Sequence, residues 1–557
     1  MAAAKRNHET AAGWAYHDAT KHSFRSVRDN VHFLDWPNKP LPFKIYKALD
    51  PIELPREFPP LDMPALDAIS KGEWGVGNGE WGAEEETIFP TPHSPLPIPD
   101  LKTIAQILYY SAGVTKIKRH PGGEIIFRAA ACTGALYEIE LYLVCGDLPD
   151  LEAGVYHFSP HDFSLRRLRR GDYRGVIARA TAKEPSVTSA PLTIICTGTY
   201  WRNAWKYQAR TYRHFGWDNG TMLANLLAAA TALNLPARVV MGFVDEDVNR
   251  LLVLGADREV AFSMVSLGRT SQSAPESPAE IERLTLETEP LSPSEVDYPA
   301  MREMHVASSL SDEEEVRRWR GAMPERKNPG PQGRSIPLEP FGEDEMSREG
   351  IGTVILKRGS TRRFDRGSSL SFEQFSTLLY RSTREIPADF LGAATGATPV
   401  ATAPGDVSAG APHLNQIFLI VHAVDGLEPG AYELDRDGRA LEMIKAGEFR
   451  REAGYLGLEQ ALPAEAAATI FFTADLNAVF ERFGNRGYRA AQLESGIIGG
   501  KMYLAAYAQG FGASGLTFYD DDVIEFFSPG AQGKSAIFQV AIGNSAKRRM
   551  EVAQAFT

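Results

Sequence analysis

A chain of 557 residues exceeds one ordinary domain and, at about 150 residues per domain, holds two to four units. Apolar residues make up 43% and charged residues 23%, which leaves ample material for buried cores and excludes global disorder. With 59 Lys+Arg against 71 Asp+Glu the net charge is -12, so most of the surface repels a phosphate polyanion and nucleic acid is not an expected partner.

Residues 1–9 carry Lys5, Arg6 and His8 without an apolar run behind them, and no secretory signal is expected. Residues 10–100 continue as a Pro-rich arm containing GEWG twice, with Trp74 and Trp81 as packing anchors or a groove lid. Further on, residues 141–144 form a short β-branched and aromatic run followed by a turn and a Gly-x-Tyr strand. The stretch 223–237 is the longest apolar one, but Asn225 and Asn234 interrupt it and it falls short of the roughly 20 residues of a membrane span. Together with Thr221 it belongs to a small-residue helix over 221–235 that is nearly apolar all round, hence buried. Residues 418–421 and 493–509 repeat the strand and the helix.

That repetition is systematic. Residues 142–174 align without a gap with 418–450, an offset of 276 (418 minus 142). Leu151, Glu152, Gly154, Tyr156, Gly171 and Arg174 recur as Leu427, Glu428, Gly430, Tyr432, Gly447 and Arg450. Tyr212-Arg213 pairs with Tyr488-Arg489, and after one gap Phe243-Val244-Asp245 pairs with Phe518-Tyr519-Asp520. The chain therefore reads as an arm (1–100), a first copy (101–269), a Ser/Pro/Glu-rich linker (270–350) and a second copy (351–557). The linker, with its acidic run Asp312 to Glu315, is expected to be extended and partly ordered. The two apolar helices are expected to pack on each other as the spine of an intrachain pseudo-dimer, which leaves further homodimerisation open.

The second copy opens with Lys357, Arg358, Ser360, Arg362 and Phe364 in the spacing R-x-S-x-R-x-F, just before helix-like sequence. Two guanidinium groups, a hydroxyl and a helix N-terminus suit one phosphate. A second basic cluster, Lys547, Arg548 and Arg549, stands near the end. The three cysteines Cys132, Cys145 and Cys196 lack metal-ligand spacing and the 12 histidines form no pair on one helix face, so no metal is expected. A reducing cytoplasm is the expected compartment, with a soluble chain and no membrane partner.

R-x-S-x-R-x-F and K-x-R resemble the FMN-phosphate grips of the nitroreductase superfamily. Residues 131–142, ACTGALYEIELY, resemble the family segment P-S-x-G-A-L-Y-P-x-E-x-Y, whose backbone lines the flavin ring, and Ser408 and Gly410 hold that place in the second copy. Neither copy keeps the leading proline. Tyr16 to Ser23, Leu34 to Pro40 and Tyr212 to Asn225 are similar to the larger, tandem SagB/ThcOx-type dehydrogenases, which include azoline oxidases of peptide natural products. The resemblance implies an α+β fold of two fused FMN-dependent nitroreductase-like domains. It further implies FMN held by Arg358, Ser360, Arg362, Lys547 and Arg549, with Ala131, Cys132, Thr133 and Gly134 along the ring. The first copy lacks both phosphate grips, since Thr87 falls where Arg358 would be and Arg269-Thr-Ser-Gln follows Gly268; one FMN per chain is expected.

Trp205-Lys206-Tyr207 matches the region of the Lys-Tyr pair that deprotonates the substrate ring in azoline oxidases, whereas the second copy has Arg482 and Phe483 there. Lys206 and Tyr207 are thus the candidate proton-transfer residues, or else a snorkelling lysine and a packed tyrosine. Glu140 and Glu494 are expected to be structural acids paired with arginine. Three functions fit: dehydrogenation of a modified peptide or related small molecule, NAD(P)H-dependent reduction of nitro, quinone or enone compounds, and a flavin-free peptide-binding scaffold.

Overall fold

The computed structural model describes residues 6–70, 98–120, 123–278, 280–324, 334–392 and 413–546. Two seven-stranded antiparallel sheets form its body. The first contains β1 (Pro51–Glu53), β4 (Ile139–Cys145), β5 (Gly154–Ser159), β6 (Ser164–Arg170), β7 (Leu192–Thr199), β8 (Ala237–Val240) and β9 (Glu259–Leu267), in the order β1-β6-β5-β4-β7-β9-β8. The second contains β10 (Ser335–Pro337), β11 (Asn415–Val421), β12 (Gly430–Asp435), β13 (Ala440–Ala446), β14 (Ala468–Ala474), β15 (Gly512–Leu516) and β16 (Ser535–Gly543), ordered β10-β13-β12-β11-β14-β16-β15. A separate two-stranded ribbon pairs β2 (Val114–His120) with β3 (Gly123–Arg128).

The sequence repeat is a repeat of register. β4 and β11 begin 276 residues apart, at Ile139 and Asn415, and each pairs with its copy's β7 or β14. Leu192 faces Leu267 in the first sheet and Ala468 faces Ile542 in the second, so the offset has dropped by one by the last strand. Tyr156 and Tyr432 donate their hydroxyls to the carbonyls of Glu152 and Glu428, the same bond twice. Each sheet takes its edge strand from the segment preceding its copy, β1 from the arm and β10 from the linker.

Two long helices, Thr211–Ala232 and Arg486–Ala508, cross at glycine. A Cβ added to Gly220 would stand 2.4 Å from the Gly496 carbonyl carbon, a contact only hydrogen permits. Both helices start earlier than the apolar pattern predicts, at Thr211 and Arg486. Their first turns carry buried charge that hydropathy hides: Arg210 and Arg213 reach Asp520 at 3.0 and 2.6 Å, while Arg486 and Arg489 reach Asp245 at 2.6 and 3.0 Å. Each copy's arginines bind the other copy's aspartate, the self-complementary pattern of a twofold interface.

The linker is not extended throughout. Asp312 caps a helix over Glu313–Trp319 by accepting from the Glu315 N–H at 2.8 Å, and the acidic run lies in its first turn, where the helix dipole favours negative charge. A second helix, Pro299–Ala307, buries His305 beside Arg489. The arm packs on the second copy through Asn7, which donates to the Phe483 carbonyl at 2.9 Å and accepts from the Arg486 N–H at 2.7 Å. Among the described residues no helix is long and apolar enough to cross a membrane.

Candidate active site

The helix Ile351–Lys357 delivers Arg358 to the boundary between the copies. Arg358 donates from Nη2 to the Ala129 carbonyl of the first copy at 2.7 Å, and its guanidinium lies 5.6 Å from the Tyr503 ring centroid. Among the described residues its Nε is buried without a hydrogen-bond partner. The Ser360 hydroxyl stands 3.4 Å from that of Tyr503, and the Thr361 N–H donates to the Ala513 carbonyl at 2.9 Å, fixing the strap. Arg362 is exposed. The basic stretch leaves a helix rather than opening one, because the next helix, Phe372–Ser382, begins only after the Ser371 cap; the helix-end donors expected at the phosphate grip are not supplied there. Lys547, Arg548 and Arg549, Ser408 and Gly410, Trp74 and Trp81, and Thr87 lie outside the described residues.

The first copy supplies the opposite wall. Cys132 precedes a single turn at Thr133–Ala135 in which Gly134 has φ 67° and Ala135 φ 53°. Gly134 needs its missing side chain, since a Cβ would meet the Tyr207 hydroxyl at 2.9 Å. Asp218, on the first long helix, holds the turn: its carboxylate accepts from the Thr133 N–H at 2.8 Å and from the Thr133 hydroxyl at 2.9 Å. Cys132 Sγ lies 3.3 Å from Glu138 and 3.4 Å from Asp218 and accepts from the Tyr137 N–H at 3.0 Å. A thiol has one proton, so it serves one of the two acids at a time. Burial, followed by Glu138, raises the Asp218 pKa well above the carboxylate range, and burial with the two acids raises that of Cys132.

Composition and spacing showed no such group, and its ligand atoms lie within 4.8 Å of one another, close enough to resemble a metal set. Both Asp218 oxygens, however, accept from the Thr133 N–H, which makes a turn clamp of them. Two signals pointed here: Glu138 replaces the second proline of the family segment, and Asp218 matches Glu494 at the repeat offset.

The helix Tyr200–Tyr207 ends beside this turn. Lys206 is half-buried, with Nζ 5.2 Å from the Tyr207 ring centroid. Desolvation, then Arg362 and Lys39, lowers its pKa. Burial raises the Tyr207 pKa, helped by Asp218, Cys132 and Glu138, so the phenol keeps its proton. Its ring meets His214 edge-on at 4.7 Å. The charge of Arg362, from the other copy, thus acts on Lys206.

The second copy is built otherwise. Arg482 donates to the carbonyls of Arg320 at 2.8 Å and Ala322 at 3.2 Å. Glu494 accepts from the Leu414 and Asn415 N–H groups at 2.9 Å and pairs with Arg436 at 3.3 Å. Glu140 pairs with Arg202 at 2.5 Å and His157 at 3.0 Å, so both acids are structural ion-pair members.

Residues 355–543 match the model of the nitroreductase family. A nitroreductase-like protein of Methanocaldococcus jannaschii is 27% identical over 169 residues, 30% of this chain and 80% of that protein. The crystal structure of a nitroreductase-like protein from Anabaena variabilis covers 97% of this chain and 100% of its own at 25% identity and a TM-score of 0.71. Another, from Exiguobacterium sibiricum in complex with FMN, is 13% identical over 38% of this chain and 91% of its own, with a TM-score of 0.23. The second copy thus matches the nitroreductase family over residues 355–543, and the chain as a whole is similar in fold to the Anabaena protein.

Proposed function

We propose that the chain is an FMN-dependent dehydrogenase of the SagB/ThcOx type, acting in a reducing cytoplasm on a peptide-derived, azoline-like or related small substrate. The observation that carries this reading is convergence. Arg358 of one copy donates to Ala129 of the other, Arg362 is close enough for its charge to act on Lys206 and Tyr207, and Tyr207 packs on Gly134. The residues fit the cofactor. Arg358 offers a buried Nε that has no partner among the described residues, Arg362 and Ser360 add a charge and a hydroxyl, and Gly134 lets the Tyr207 hydroxyl close on its turn. Flavin, when bound, supplies a two-electron acceptor for hydride.

The protein's share is the proton. Desolvation and two neighbouring cations favour neutral Lys206, whose Nζ can then take a proton from the substrate. Tyr207 remains a hydrogen-bond donor through its hydroxyl, held against Gly134. In the other copy Arg482 is committed to carbonyls and Arg436 neutralises Glu494, which supports one FMN per chain.

A second reading, a reductase of nitro, quinone or enone compounds with NAD(P)H as its donor, is favoured by the likeness to nitroreductases as far as the reductive direction goes. Two measurements test both. FMN released on denaturation should be near one per chain and fall away in Arg358→Ala/Arg362→Ala. Anaerobic NADH or NADPH should leave the yellow colour for minutes, whereas bleaching within seconds establishes the reductase.

A further inference from the structure

We propose that the ribbon β2–β3 docks an acidic, extended peptide segment by strand addition, as the recognition site for the peptide substrate; this rests on the reading above for what the peptide is for. Three observations carry it. The ribbon is a sheet of two strands, paired with each other and, among the described residues, with no third strand; the Tyr137 hydroxyl occupies the Arg128 N–H and the Ile126 carbonyl on the β3 side, so among the described residues the β2 edge is the one that presents backbone donors and acceptors. It concentrates positive charge in a chain of net charge -12: Lys116, Lys118 and Arg119 are exposed, against the single acid Glu124, which pairs with Arg119 at 2.8 Å. It also exposes apolar side chains, with Ile117 at 48% and Ile125 at 45%. Free edge, positive charge and alternate apolar positions are the complement of an extended chain that alternates acidic and β-branched residues. An anionic membrane would satisfy the charge but not the edge.

The ribbon is coupled to the site by its base. Val114 faces Arg128, the Ala129 N–H donates to the Gly113 carbonyl at 2.9 Å, and the Tyr137 hydroxyl accepts from the Arg128 N–H at 3.1 Å. Chain leaving β3 runs directly into the turn that Asp218 clamps. A segment held on the ribbon therefore keeps its neighbouring residues close to Lys206 and Tyr207, and recognition is separated from reaction.

The probe is a fluorescein-labelled 12-residue peptide of alternating glutamate and valine, followed by anisotropy against the full chain. Binding is expected, weakening at least tenfold in K116E/K118E/R119E and similarly in the milder K116Q/K118Q/R119Q, and weakening again when proline replaces a central valine of the peptide. Flavin content measured on the same samples reports folding and stands apart from docking. A chain that binds the peptide but holds no FMN keeps the docking site and sinks the proposed function. A flavin-loaded chain that binds the peptide equally well with and without the three charges overturns the docking site. Equal binding of the proline peptide overturns strand addition, and charge-dependent binding of phosphatidylserine vesicles without peptide binding assigns the ribbon to a membrane surface instead.

Discussion

Asp218→Ala probes the turn that lines the candidate site. In the folded chain the Asp218 carboxylate is the acceptor for the Thr133 N–H at 2.8 Å and for the Thr133 hydroxyl at 2.9 Å. The hydroxyl can turn to another partner, but the N–H cannot, and a buried donor left without an acceptor costs about 1–3 kcal/mol. If that cost is met when the turn orders against FMN, the Kd should rise roughly 5- to 150-fold. Asp218→Asn keeps an oxygen for the N–H and removes the charge, so it should retain FMN within a few-fold. The pair also separates position from charge. The folded Asp218 carboxyl titrates above its unfolded value, so its stabilising contribution is present at low pH and is lost as pH rises through the folded value. Asp218→Asn should flatten that decline. Quenching of FMN fluorescence gives Kd, and urea unfolding between pH 5 and 9 gives the slope. Equal FMN affinity in Asp218→Ala and the natural chain, or equal losses in the alanine and asparagine variants, would refute the clamp.

Other outcomes follow from the same geometry. Lys206→Ala should leave FMN per chain unchanged while slowing flavin reduction by substrate by about 10²–10⁴-fold, as read by stopped-flow absorbance. Removing both buried partners of Asp520 by Arg210→Ala/Arg213→Ala strands its charge and should cost at least about 3–5 kcal/mol in denaturant unfolding, whereas an exposed pair such as Arg25 with Asp29 should contribute within about 1 kcal/mol. Burial depresses the Lys501 pKa to about 7, so from pH 7 upward the unfolded chain holds a proton the folded one lacks. Relative to Lys501→Met, the natural chain should gain roughly 1.4 kcal/mol per pH unit between pH 7 and the unfolded lysine value, and a parallel pH profile for the two chains would contradict it.

The repeat was legible because strand pairing preserves spacing. A slip of one residue turns every side chain to the other face, so 142–174 and 418–450 had to remain aligned for both sheets to keep their cores. The lengths of the spine helices were not legible from hydropathy. Arg210, Arg213, Arg486 and Arg489 are buried only because an aspartate of the opposite copy meets them, and no local window contains both partners. The linker helix over Glu313–Trp319 was hidden the same way: a run of four acids reads as solvent-facing until the Asp312 cap gives it direction. Arg358 was singled out by its basic spacing and Lys206 and Tyr207 by resemblance, but the Cys132, Glu138 and Asp218 contact joins residues up to 86 positions apart and needed the fold.

The two copies show which parts of a duplicated interface could diverge. Arg213 and Arg489, Asp245 and Asp520, and Gly220 and Gly496 occupy matching positions and serve the same contact in both directions. Changing one member unbalances a buried charge or forces a methyl group into a backbone contact of 2.4 Å, so the twofold frame constrains both copies equally. The site carries no such reciprocity. Arg358 reaches Ala129 across the frame, and the matching Asp218 and Glu494 keep the task of holding backbone N–H groups while their surroundings differ. Arg436 has joined Glu494 in the second copy, where the first copy instead sets Glu138 beside Asp218. An acid paired with arginine braces structure; Asp218 instead stands beside Glu138, with the Cys132 thiol against both. The asymmetry that left Lys206 and Tyr207 in one copy therefore extends to the acids behind them.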